Sequence, residues 1–134
     1  MSTTENLWGE IVAQPESRAP IVILREQASK LSELTNKFLL GNVQISREYA
    51  EITMTLSILV PALANYEYDV LRAAHGVLLY PVNVYDVNEV LDETIPWEPI
   101  KCETEEEFKT TLAQILASEK VHKVIASLLA QAQS

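Results

Sequence analysis

The spacing of apolar residues changes period twice along the chain, and the changes divide it into helix, sheet and helix. Leu7, Trp8 and Ile11 fall on one side of a short helix expected over 4–13, with Thr4 as its N-cap. Gln14 to Ala19, which holds Pro15, reads as a connector. A second helix begins at Pro20, whose missing N–H suits a first turn. Leu24, Ala28, Leu31, Leu34 or Thr35, and Phe38 recur at three- and four-residue steps, which predicts a helix running down to Gly41 as its C′ residue.

From Asn42 the period is two. Val43 and Ile45 alternate with polar neighbours, and Ile52, Met54, Leu56, Ile58 and Val60 alternate with Thr53, Thr55 and Ser57. Tyr66, Tyr68 and Val70, then Leu78, Tyr80, Val82 and Val84, continue the even parity. If those even residues share one face, directly opposed residues have an even sum and the loops hold an odd number of residues. Pro61–Asn65 fits as a five-residue loop pairing Val60 with Tyr66 and Ile58 with Tyr68. Ala74-His75-Gly76 fits as a three-residue hairpin with Gly76 in the left-handed position, pairing Val70 with Tyr80 and Tyr68 with Val82. The first strand has odd parity and needs an even loop, for which Glu48–Glu51 serves. Pro81 cannot donate to a ladder, so the fourth strand is expected at an edge.

Two further helices close the chain. Thr104 with Glu107 forms a capping box ahead of Phe108, Leu112, Ile115 and Leu116. Ser118 restarts a helix with Val121, Val124, Ile125, Leu128 and Leu129 on one face. The pattern predicts an α+β fold in two layers: a four-stranded antiparallel β-meander covered on one face by the N-terminal and C-terminal helices, one domain over 1–134.

Charge sharpens the picture. Between Asp86 and Glu107 there are nine acids against the single Lys101, so this stretch carries −8 of a net −9. Such a local field steers basic partners and repels nucleic acid, which binds through Lys and Arg clusters that this chain lacks. The candidate partner-binding residues are therefore Asp86, Glu89, Asp92, Glu93, Trp97 and Glu98. The plainer account of the same stretch is a solvated loop, followed by carboxylates that favour a helix dipole at Glu105, Glu106 and Glu107. A calcium loop is rejected, because Leu91 and Trp97 stand where its glycine and closing glutamate belong.

Other chemistry is sparse. The lone Cys102 excludes an internal disulfide and suits a reducing compartment, and the polar N-terminus shows no signal peptide; a cytoplasmic protein is expected. The most apolar run, Ile52–Ala64, is too short and too polar to span a bilayer. His75 reads as a turn residue and His122 as a surface residue. Only three glycines occur, and none forms a phosphate-binding loop, so no cofactor or metal is expected. Tyr66, Tyr68, Asp69, Arg72 and Tyr80 could instead line a ligand pocket at the sheet edge, although aromatic stripes of this spacing usually pack as core. Leu71 and Leu79 would oppose one another on the polar sheet face.

The leading expectation is a small acidic, non-enzymatic interaction or accessory module, inhibitor-like toward a basic protein partner. The alternative is a small-ligand binder or enzyme using the Tyr/Asp/Arg cleft. A homodimer pairing its sheets or last helices is the third option.

Overall fold

Alternating apolar residues at the centre of the chain and helical stripes at either side fold as their periods require. The computed structural model describes residues 4–11, 17–87 and 98–134. Within these the order is α1 (Pro20–Leu34), β1 (Leu40–Glu48), β2 (Glu51–Val60), β3 (Tyr66–His75), β4 (Val82–Asp86), β5 (Ile100–Cys102), α2 (Glu105–Leu116) and α3 (Glu119–Ala132). A single 3₁₀ turn, Pro61–Leu63, links β2 to β3. The strands pair antiparallel in sequence order, an α+β meander of five strands rather than four. The added strand, β5, pairs with β4 over Val82–Val84, so β4 is flanked on both sides at Asn83 and Val84 and is not the edge strand that Pro81 suggested. Pro81 precedes the ladder, following a cis bond from Tyr80.

The core joins both helical regions to the sheet. Leu24 and Ala28 of α1, Phe108, Leu112 and Ile115 of α2, and Val121 and Leu128 of α3 close over Met54, Leu56, Ile58, Val60, Val82 and Val84. Apolar burial on this scale supplies the main stabilising term. The layers meet most closely where α1 crosses β1. A Cβ added at Gly41 would lie 2.2 Å from the Ala28 carbonyl oxygen, so only glycine fits. Gly41 thus serves as a packing notch inside β1, not as the C′ residue of α1. The helix ends earlier, at Leu34, and leaves Phe38 40% exposed. Its exit is organised by buried Thr35, whose hydroxyl lies 2.9 Å from both the Leu31 and the Leu39 carbonyl, while Asn36 and Lys37 turn through positive φ.

The register follows the parity argument on one side of β3 and departs from it on the other. Val60 opposes Tyr66 and Ile58 opposes Tyr68, as expected. The pairing then shifts at Leu56/Ser57, where Val70 is the extra residue of a β-bulge. Val70 and Leu71 are both buried, and beyond them the odd residues Leu71 and Ala73 take the core side. This overturns the Ala74–Gly76 hairpin: β3 continues to His75, Ala73 opposes Val84, and Leu71 opposes Leu56 and Asp86 rather than Leu79. Gly76 does not take a left-handed conformation. Between β1 and β2 the expected even loop is present, shortened to Tyr49-Ala50, with Glu48 opposing Glu51.

The short first helix is absent over its described part. Residues 4–11 are irregular, and Leu7 and Trp8 are 84% and 83% exposed. An isolated helix of that length has too few bonds to offset its nucleation cost without packing. Ser118 does cap α3, accepting from the Val121 N–H at 3.3 Å.

The notch predicts a contrast between two glycines. Gly41→Ala should lower unfolding stability by about 1–3 kcal/mol through overpacking against backbone. Gly76→Ala, with nothing within 4 Å of its Cβ position, should be neutral or stabilising by up to about 1 kcal/mol. Urea unfolding of both variants measures the difference.

Candidate functional site

Three features have the makings of a site: a polar tether at the start of α1, a groove between the helices, and an acidic ridge. The tether begins at Arg18. Its backbone N–H donates to Glu105 Oε1 at 2.7 Å, and its carbonyl accepts from the Tyr80 hydroxyl at 3.0 Å. Its guanidinium pairs with Glu26, and Lys109 pairs with Glu105 at 2.9 Å. The Arg18 N–H first, then Lys109, hold the Glu105 carboxyl below its usual range. The Tyr80 ring meets Phe108 edge-on, with centroids 6.4 Å apart. Burial, reinforced by the Glu105 charge, pushes the Tyr80 phenol up to about 12. Every polar member of this cluster is thus engaged in joining α1, α2 and the loop before β4.

The groove lies between α1 on one wall and α2 and α3 on the other. Its deeper part, about 180 Å³, is floored by Leu56, Ile58 and Val70 and walled by Leu31, Val121 and Ile125. A wider outer part of about 430 Å³ continues toward Arg18 and Lys109, with His122 shared by both. Val70 keeps the helix side that its even parity gives it, and the bulge brings Leu71 to the same side. His122 is exposed on α3, and the acid lining the outer part, Glu26, is already paired with Arg18.

The acidic ridge runs along β5 and the first turn of α2. Glu98, Glu103, Glu106 and Glu107 are exposed, and Lys101 offsets them only through Glu103, at 3.6 Å. The N-cap half of the capping box forms, the Glu107 N–H donating to Thr104 Oγ1 at 3.1 Å, while the Glu107 carboxylate reaches one residue beyond the N-cap and accepts from the Glu103 N–H at 2.7 Å. Asp86 is half-buried at the end of β4, where its charge, after burial itself, raises the Tyr68 phenol. Of the expected partner-binding residues, Asp86 and Glu98 are placed in this way; Glu89, Asp92, Glu93 and Trp97 lie outside the described residues.

The five expected pocket residues do not meet in one cleft. Tyr66 and Tyr68 stand on the helix side at the start of β3. Asp69 opposes Ser57 and Arg72 opposes Thr55, which puts both exposed on the other sheet face. Tyr80 is bound into the tether beyond the far end of β3. Asp69 keeps the odd parity of the outer face, and the bulge after it turns Arg72 to that face as well, a change that parity cannot detect.

The remaining reactive groups are enclosed. Cys102 is buried, donates to Thr111 Oγ1 at 3.3 Å, and has its thiol raised chiefly by burial, with Glu107 adding to the effect. His75 is buried at the end of β3, not in a tight turn, with Nδ1 2.7 Å from the Gly76 carbonyl and 3.0 Å from that of Leu78. It closes the loop leading to β4. Among the described residues no three of His, Cys, Asp and Glu converge as metal ligands, and no helix is long and apolar enough to cross a membrane. Comparison with family models, curated proteins and solved structures returned no match to this chain.

The Tyr80 tether has a pH signature. With the phenol raised to about 12, the folded protein keeps a proton that the unfolded chain releases near 10. The tether's contribution is therefore complete below about pH 10 and declines as pH rises from there to about 12. Urea midpoints compared between wild type and Tyr80→Phe across that window should converge as pH rises.

Proposed function

We propose that this chain is a small acidic, non-enzymatic interaction module whose acidic end docks on a basic protein surface, as an inhibitor or accessory subunit would. The observation that carries this reading is a contrast. The exposed acids Glu98, Glu103, Glu106 and Glu107 follow one another over β5 and the first turn of α2 with Lys101 as the one base among them up to Glu107, whereas the charged groups around the outer groove, Arg18, Glu26 and Lys109, are engaged in ion pairs. Exposed carboxylates of one sign act at long range and speed association with an oppositely charged partner. Their attraction is screened over about 8–10 Å at moderate salt, which gives the reading its test.

A second reading follows from the groove. Its apolar floor, with Lys30 and His122 at its margin, suits a small ligand with an apolar body and an anionic end. This retains a ligand-binding role but moves it from the tyrosines to the helix layer.

Charge reversal separates the two. A Glu98→Lys, Glu103→Lys, Glu106→Lys triple variant should reduce retention of a basic partner, captured from cells that make this protein, by about tenfold at low salt. The captured protein, identified by mass spectrometry, should be basic and should elute from wild type as salt rises. Equal retention by wild type and the triple variant would count against the acidic ridge. Stabilisation of both forms by an apolar carboxylate would favour the groove.

A further inference from the structure

β1 leaves one side of the sheet unpaired, and the pattern of its free backbone groups identifies what can pair with it. In an antiparallel hairpin closed by two residues, the pair flanking the turn is hydrogen-bonded. Here that pair is Glu48 and Glu51. Glu48, Ser46, Gln44 and Asn42 therefore direct their N–H and C=O groups at β2, and Arg47, Ile45, Val43 and Gly41 direct theirs outward. The Gly41 contact agrees: its N–H donates to Ser32 Oγ at 2.9 Å, outside the β1–β2 ladder. Helix α1 thus covers the start of the edge, and the turn ends it at the other side. The open window is 42–48, and its outward-facing residues, Val43, Ile45 and Arg47, are spaced evenly about Ile45.

This symmetry suits one occupant. We infer that β1 pairs antiparallel with β1 of a second copy of this chain, about a two-fold axis at Ile45, joining two five-stranded sheets into one. Ile45 then opposes its own counterpart in a hydrogen-bonded pair, and Val43 opposes the partner's Arg47 in another. About six backbone bonds form without disturbing the Ser32–Gly41 contact. On the helix side the facing residues are Ile45 with Ile45, and Val43 with the aliphatic stem of Arg47. On the other side Gln44 faces Ser46 and Asn42 faces Glu48. No like charges are opposed. A register centred on Gln44 would require the Gly41 N–H that Ser32 already holds.

The side chains support the same conclusion. Ile45 is 51% exposed in the monomer although its β2 neighbour Met54 is fully buried. The window carries no proline or bulge, and its two charges, Arg47 and Glu48, both lie at the turn end, which leaves 42–46 without the devices that ordinarily protect an edge strand. The pairing uses neither the acidic ridge nor the helix groove, so it stands or falls separately from the proposed function.

Light scattering of the full chain should give twice the 15.0 kDa chain mass, and Ile45→Lys should halve it with an unchanged far-ultraviolet circular dichroism spectrum. Ile45→Cys should form an intersubunit disulfide under mild oxidation, because opposed residues of a hydrogen-bonded pair lie about 5.5 Å apart between Cα atoms. Gln44→Cys should cross-link far more slowly, and buried Cys102 gives wild type as the blank. A wild-type monomer at its highest soluble concentration overturns the proposal. So does a dimer that persists in folded Ile45→Lys, or cross-linking faster at position 44 than at 45.

Discussion

The contact of Gly41 with the backbone of Ala28 sets the geometry of the layers. Because no side chain separates them, α1 sits directly on β1 and Ser32 can reach the Gly41 N–H. Two consequences follow from that placement. On its inner side α1 stands away from α2 and α3, and the gap is the groove over Leu56, Ile58 and Val70. On its outer side it covers one end of the sheet edge and leaves the remainder open. A bulkier residue at position 41 would lift the helix and alter both surfaces together.

Polar side chains then secure the irregular segments. Thr35 holds the turn into β1, His75 the loop into β4, Thr104 and Ser118 the starts of α2 and α3, and Tyr80 the approach to α1. Among the described residues no buried side-chain nitrogen or oxygen lacks a partner. A buried polar group without a partner costs far more than a bonded one contributes, so these positions matter out of proportion to their size. The polar groups most tempting as chemistry, Tyr80 and Cys102, are occupied in this structural work.

Much of the architecture could be read from the residues. Strict alternation in β2, the N-cap at Thr104 and the restart at Ser118 each encode one local geometry and are each realised. The loop between Val60 and Tyr66 followed from parity alone. The features that escaped are those in which tertiary contact decides. Leu7, Trp8 and Ile11 have helical spacing but nothing described to pack on, so their periodicity finds no expression. β5 is three residues long, below the length at which alternation can be recognised. The site suffered most from the bulge, since a face assignment carried across Val70 places Arg72 with the tyrosines when it stands on the opposite face.

That extra residue also decides how β3 would respond to a change of length. Removing Val70 would leave Tyr68 with Ile58, Asp69 with Ser57 and Leu71 with Leu56 in unbroken alternation, so both halves of the strand would keep their partners and their facing. The strand would lose the Val70 side chain from the floor between the helices, and with it part of what shapes that hollow. Removing Asp69 instead would draw Val70 into its place opposite Ser57, on the outer face of the sheet.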